Sequence, residues 1–244
     1  MAIIWQYKDG LTLYEVRSAG SSLRLYTNGA FHTQYSPIRL FTGGVWDLLS
    51  IPSLFTDLRQ SPSVLMLGVG GGSAIHQLQH LLSPREILGI ELNPIHINIA
   101  KRFFNLKAKN IKLVEADALR WINQSQKRFD VLIDDLFIDS NDDPIRPFKC
   151  DEPWLTTLDS RVSTNGLVIQ NHLCRSDALL SAELAKKYFQ SALSFTTPQY
   201  ENVITAFYRQ KVDARSGRIS AIKVIEGLDK KALKNIKFSV HKIY

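Results

Sequence analysis

The stretch that most constrains this 244-residue chain is Val64-Leu65-Met66-Leu67-Gly68-Val69-Gly70-Gly71-Gly72-Ser73. Its apolar half has the length and content of a strand buried on both faces, as inside a parallel sheet. Four glycines within five positions then turn the chain, and Ser73-Ala74-Ile75 opens an expected helix. A glycine turn between a strand and a helix N-terminus suits a polar or anionic ligand. Its backbone N–H groups are expected to be unpaired, the helix dipole adds positive potential, and no Cβ atom blocks close approach.

Three more apolar runs follow, each closing on acid. Glu86-Ile87-Leu88-Gly89-Ile90-Glu91 ends at Glu91, Ile111 to Ala118 carries Asp117, and Phe129 to Asp135 ends at Asp134 and Asp135. Between them lie helix-like segments: Pro94 to Phe104, with proline in the first turn, and the short Leu119 to Asn123. Asp177 to Phe189 follows, with Leu180, Leu184 and Tyr188 spaced to face a sheet. Leu193 to Thr197 and Asn202 to Tyr208 are expected to close the sheet as an antiparallel pair. Strands alternating with helices predict an α/β fold with a parallel sheet, right-handed crossovers and helices on both faces. Acids at the ends of three successive strands then sit where open α/β sheets bind ligands. Glu91 is suited to ribose hydroxyls, and Asp117, beside Ala118, to the exocyclic amine of adenine. The dinucleotide fingerprint is incomplete, because Ser73 replaces its third glycine, whereas Gly68-x-Gly70-x-Gly72 is intact.

That spacing resembles the first motif of S-adenosylmethionine-dependent transferases. From about Leu25 to Asn171 the chain also resembles the spermidine/spermine synthases, the polyamine aminopropyltransferases. Asn28-Gly29 stands at their hairpin, Leu67 to Ser73 at their glycine loop, Glu91 at the ribose acid and Asp117-Ala118 at the adenine side. Phe129 to Asp135 matches their fourth strand, and Phe148 to Gln170 their last helix and strand. The resemblance implies a methyltransferase-like Rossmann sheet and a homodimer formed through an N-terminal β-domain. It implies S-adenosylmethionine or its decarboxylated form as co-substrate, held by Gly68, Gly70, Gly72, Glu91, Asp117 and Ala118. Asp135 takes the place of the catalytic aspartate. Asp134, Asp139, Gln170 and His32 are assigned to the amine acceptor. Two departures stand out: Gly71 occupies the place of a loop aspartate, and Pro37 to Gly43 lacks the family's acids, tyrosine and histidine.

The remaining regions bound the alternatives. Leu11 to Arg17, Leu23 to Thr27 and Ala30 to Gln34 read as strands, with Asn28-Gly29 as a type I′ hairpin turn. The division expected is a β-domain over 1–36, a catalytic domain over 37–208 and a basic extension over 209–244. Pro37 to Leu54 is expected to be mostly helical. Arg209 to Tyr244 holds 10 basic and 3 acidic residues, so the whole net charge of +7 arises there. It reads as a strand, Ile219 to Ile225, and a basic amphipathic helix, Leu228 to Ile236. Such a segment suits an acidic partner such as nucleic acid or a membrane surface, although a helix with its lysines turned to water is the simpler account. The acids from Asp134 to Glu152 suit either a lid that draws in a cationic amine or a solvated loop shaped by Asn141 and Pro144.

Cys150 and Cys174 form no paired motif, and Met1 to Trp5 lacks the pattern of a signal peptide. Both point to reduced thiols in the cytoplasm. No apolar run approaches the roughly 18–20 residues that span a bilayer. His76 and His80 share a helix face without a third ligand nearby, so no metal is expected. Three readings follow. The first is an aminopropyltransferase-like enzyme in which Asp135 orients an amine for in-line attack on the carbon beside a sulfonium. The second is a methyltransferase, and the third is a non-catalytic protein that binds nucleic acid.

Overall fold

The computed structural model describes residues 1–138, 145–228, 232–234 and 236–244. The chain opens with an antiparallel meander, β1 (Ala2–Asp9), β2 (Thr12–Ala19), β3 (Ser22–Thr27) and β4 (Ala30–Tyr35), ordered β1-β2-β3-β4. Asn28 and Gly29 both adopt positive φ, +48° and +84°, as a type I′ turn requires. Asn28 Oδ1 accepts from the Leu13 amide at 2.8 Å, which ties the turn to the neighbouring strand. Strand β1 was not expected. Its apolar residues Ile3, Ile4 and Trp5 run consecutively, and the ladder shifts register between Ile3 and Trp5, so no alternation marks it.

Helix was expected across Pro37 to Leu54, but it forms only at the end, as α1 (Asp47–Ser50) followed by a 3₁₀ turn at Ile51–Phe55. The Gly43-Gly44 pair breaks the pattern. The buried Asp47 carboxylate instead collects the amides of Thr42 (3.1 Å) and Gly43 (2.7 Å), folding the loop back over the helix start.

The second sheet has eight strands. In chain order come β5 (Ser63–Leu67), α2 (Ser73–Leu82), β6 (Glu86–Glu91), α3 (Pro94–Phe103), β7 (Ile111–Glu115) and α4 (Ala118–Gln124). Then follow β8 (Phe129–Asp134), α5 (Glu152–Arg161), β9 (Val162–His172), α6 (Arg175–Ala185), β10 (Ser191–Thr196) and β11 (Val203–Tyr208). Helix α7 (Ala214–Leu228) and strand β12 (Ser239–Lys242) complete it. The order is β12-β10-β11-β9-β8-β5-β6-β7, with β7 through β9 parallel and β11, β10 and β12 antiparallel. The chain winds outward from β5 to β7 and returns to β8 on the other side of β5. This makes the carboxyl ends of β5 and β8 the switch point, where open α/β sheets take their ligands.

Both faces of this sheet are buried, which is why β5 and β8 read as unbroken apolar runs. Two helix assignments change. In α6 the buried positions are Ala178, Ser181, Ala182 and Ala185, whereas Leu180 is 60% exposed. Small residues let that helix approach the sheet closely; of the expected face Leu180 lies outside, while Leu184 and Tyr188 are half-buried and pack against the core. The expected strand Ile219 to Ile225 lies inside α7, which buries Gly217, Ala221 and Ile225 at four-residue intervals. The expected helix Leu228 to Ile236 is replaced, where described, by the last residue of α7 and a 3₁₀ turn at Ala232–Lys234. Arg218 lies over the Phe238 ring and donates to its carbonyl at 3.0 Å, fastening α7 to the lead of β12.

Candidate functional site

The glycine loop joins β5 to α2 in left-handed steps, with φ of +80° at Gly68, +54° at Gly70 and +77° at Gly72. A Cβ on Gly68 would sit 2.2 Å from the Asp135 carbonyl oxygen, so glycine is needed where the two strand ends converge. The loop was expected to offer unpaired N–H groups, but the structure satisfies all of them internally. Gly68 donates to Ile90 O (2.9 Å), Gly71 to Thr33 Oγ1 (3.3 Å) and Gly72 to Val69 O (2.8 Å). Val69 and Gly70 both donate to Glu91 Oε2 at 2.9 Å. The other carboxylate oxygen of Glu91 accepts from the Asn93 amide, also at 2.9 Å. Glu91, expected to serve a ribose, is therefore also the clasp of the loop. Gly71 turns inward: a Cβ there would meet Phe104 and Thr33 at 2.5 Å. Gly72 likewise packs below the surface, against Leu106.

A cavity of about 540 Å³ opens at this edge of the sheet. Of the residues singled out in the sequence, it brings together Gly68, Gly70, Glu91, Asp117, Ala118, Asp135 and His32. Asp117 keeps its place in the wall while capping α4, accepting from the Arg120 amide at 3.0 Å. The His32 ring stands 5.0 Å from that of His96, which lines the same cavity and bonds Thr27 Oγ1 at 2.9 Å. Around these polar groups stand Phe31, Trp46, Phe137, Phe148 and Tyr200. Among the described residues the lining holds three carboxylates and no lysine or arginine.

Asp135 and Asp134 part company at the end of β8, as neighbouring residues of a strand must. Asp135 faces the cavity and accepts from Asn171 Nδ2 at 2.8 Å. Burial is the main cause that pushes its carboxyl up to about 6; the Asn171 bond opposes that shift and the Asp134 charge adds to it. Asp134 was expected to bind substrate, yet it is 0% exposed behind the cavity wall. Its Oδ2 accepts from Trp154 Nε1 (2.7 Å), Gln170 Nε2 (2.9 Å) and the Arg146 guanidinium. Gln170 is sealed in with it, held from the far side by Ser181 Oγ at 2.6 Å. Both assignments to the acceptor are thus replaced by a structural role. The reason is register: Asp134 pairs with Gln170 across β8 and β9, so the pocket takes the next residue of each strand. Asp139 lies outside the described residues.

Sequence reasoning missed Asn171, whose neighbour it selected; counting one further along β9 would have found it. It also missed Asn202, which donates to Asn171 Oδ1 at 3.0 Å, and the aromatic wall, which comes from loops far apart in the chain. The His76 and His80 rings meet at 4.6 Å, tilted by 57°, on α2, and burial, then His80, pushes His76 down to about 4. No group of metal-binding side chains occurs among the described residues.

An open sheet of this order, ending in an antiparallel strand pair and carrying a carboxylate-lined cleft at its switch point, is a methyltransferase-like Rossmann fold. Residues 47–214 match the model of the spermine/spermidine synthase domain, and the chain belongs to that family. It is 26% identical over 120 residues to a polyamine aminopropyltransferase of Neisseria meningitidis, covering 48% of this chain and 44% of that protein. It is 27% identical over 144 residues to the eEF1A lysine and N-terminal methyltransferase homolog of Drosophila pseudoobscura pseudoobscura, covering 54% of this chain and 21% of that one. The chain thus spans under half the length of both relatives. A probable spermidine synthase from Corynebacterium glutamicum shares the fold at a TM-score of 0.76 and 11% identity, over 99% of this chain and 91% of that one.

Proposed function

We propose that this chain is a transferase that takes decarboxylated S-adenosylmethionine and passes its aminopropyl group to an amine acceptor. One observation carries the choice of donor. The cleft presents three carboxylates, no cationic side chain among its described residues, and a glycine loop whose amides are all paired. The α-carboxylate of the ordinary donor would meet no cationic side chain in the lining, since Arg146 behind it is paired with Asp134. The sulfonium and amine of the decarboxylated form instead meet acids. Glu91 and Asp117 stand at the ends of adjacent parallel strands, where a nucleoside's ribose and base are expected.

The reaction is a displacement. The acceptor nitrogen bonds to the carbon beside the sulfonium as the carbon–sulfur bond breaks, and its electron pair stays on sulfur, releasing neutral methylthioadenosine. The acceptor must give up one proton, and Asp135 is placed to take it. A carboxyl near 6 accepts a proton more readily than an ordinary aspartate. Asn171 fixes the carboxylate's direction, leaving its second oxygen for the amine.

A methyltransferase is the second reading, favoured by the Drosophila relative. Mass spectrometry of reactions with each donor and a panel of amines separates the two. An aminopropylated amine is expected; methylated product from the ordinary donor alone would overturn the first reading. We further infer a homodimer through the first sheet, whose strand β1 turns Ile3, Ile4 and Tyr7 outward at 52, 48 and 47% exposure. The free cysteines Cys150 and Cys174 fit a reducing, cytoplasmic setting. No helix among the described residues is long and apolar enough to cross a membrane.

A further inference from the structure

A second cavity, of about 550 Å³, opens at the opposite end of the same strands. Glu91, at the carboxyl end of β6, belongs to the transferase cleft, whereas Arg85 and Glu86, at its amino end, belong to this one. The second cleft lies between α4 and the sheet face at β6 and β7, and β7 is the edge of the sheet. Lys112 comes from β7, Trp121 from α4, and Lys109 and Lys127 from loops on either rim.

Its charge is lopsided. Arg85, Lys109, Lys112 and Lys127 are all exposed. Against them stands one acid in the lining, Glu86, which Lys127 approaches at 3.7 Å. Arg85 leans 3.7 Å from Asp130, a carboxylate that also holds Arg59 at 2.7 Å. Between the cations stands the half-buried indole of Trp121, the cleft's single aromatic side chain among the described residues, its inner side packed on the core beneath α4.

We propose that this cleft binds a segment of single-stranded nucleic acid, one base lying against Trp121 and the flanking phosphates on the lysines and Arg85. Cations distributed over both rims of an open groove match successive phosphates of a strand, not the single phosphate group of a mononucleotide. An acidic peptide would use the cations and leave the indole idle. Stacking on an aromatic ring beside a cationic track is how sequence-tolerant strand binding is built. The strand runs past the edge of β7, clear of the transferase cleft. The site stands apart from the donor and acceptor chemistry and does not depend on it.

The test is fluorescence anisotropy of a labelled single-stranded oligonucleotide with the full chain, across a salt series. Binding is expected at low salt, with log affinity falling against log salt at a slope of about −2, as for three neutralised phosphates of a single strand. Lys109→Glu with Lys112→Glu, both at exposed positions, should weaken binding at least about tenfold while circular dichroism and transferase turnover stay unchanged. Trp121→Ala should cost at least about fivefold, and Trp121→Phe less. Should Trp121→Ala fail to fold, the lysine pair still decides. No anisotropy change at low salt would overturn the proposal, reducing the lysines to guards of an edge strand. Equal competition by ATP or by polyglutamate would overturn it too. So would loss of binding on Lys223→Glu in α7 with none on the Lys109 and Lys112 pair.

Discussion

Asn171 Nδ2 donates a 2.8 Å hydrogen bond to Asp135 Oδ1 while its own Oδ1 accepts from Asn202 Nδ2 at 3.0 Å. The amide is oriented from both ends, so its N–H rather than its oxygen meets the carboxylate. That bond, together with the Arg146 charge, favours the ionised form of a carboxyl that burial drives the other way.

The pH dependence of turnover follows. The acceptor's proton needs an ionised Asp135, so kcat/KM should rise as pH increases through about 6 in the free enzyme. Asn171→Ala removes the bond that favours the charge and should move that limb to higher pH. Asp135→Asn should lower turnover by a factor of about 10² or more and remove the limb. Rate profiles of the three proteins check this; an Asn171→Ala limb that does not move would detach the amide from the mechanism.

Glu91 clasps the glycine loop at the wall of the cleft. Glu91→Gln replaces an oxygen acceptor with a donor beside N–H groups that need acceptors, which loosens the loop. Methylthioadenosine binding should weaken by about 1.5–3 kcal/mol, the worth of one charge-assisted bond from the carboxylate to a ribose hydroxyl. Calorimetry reads the affinity. Asp117→Ala should weaken it as well, and unchanged affinity in both would remove the nucleoside from this edge of the sheet.

Gly71→Asp places the family's loop acid back in the sequence. It should not improve use of the decarboxylated donor, because its Cβ would meet Phe104 and Thr33 at 2.5 Å. Overpacking of this kind costs about 1–3 kcal/mol, seen as a lowered thermal midpoint. A stable variant with faster aminopropyl transfer would show that the loop opens toward the cleft instead.

Asp47 is a stability probe that lies outside the lining of the cleft. It is 1% exposed and bonded to Thr42, Gly43 and Gln77, yet burial, its largest influence, pushes it up to about 6. A carboxyl raised in the folded state holds its proton more tightly there than in the unfolded chain. Its contribution is therefore full below about pH 4 and is lost as pH rises through about 6. Denaturant midpoints of wild type and Asp47→Asn should differ in slope across that window and run parallel above it.

The sequence by itself determined the parallel sheet and the edge on which the site lies. Runs such as Val64 to Leu67 have one energetically acceptable place, inside a sheet covered on both faces, and Asn28-Gly29 has one common turn. The acids that close β6 and β8, and the one that follows β7, are carried to a common edge by parallel topology alone. Strand β1 and helix α7 were harder to read. An exposed strand with a register shift shows no alternation, and α7 buries a face that includes glycine and alanine.

What only the tertiary structure decided is how each polar group is spent. Sequence shows that Glu91 is acidic; contact shows that one oxygen already holds the glycine loop and the other the Asn93 amide at the start of α3. Sequence separates Asp134 from Asp135 only by strand alternation. The pairing of Asp134 with Gln170 assigns one to a buried network and leaves the other, with Asn171, at the cavity. The aromatic wall joins Phe31, Trp46 and Tyr200, rings separated by up to 169 positions that meet within 4.8 to 6.1 Å. Local propensity and periodicity report on neighbours along the chain. Hydrogen-bond satisfaction and burial are settled between strands and loops that meet only when the sheet has formed.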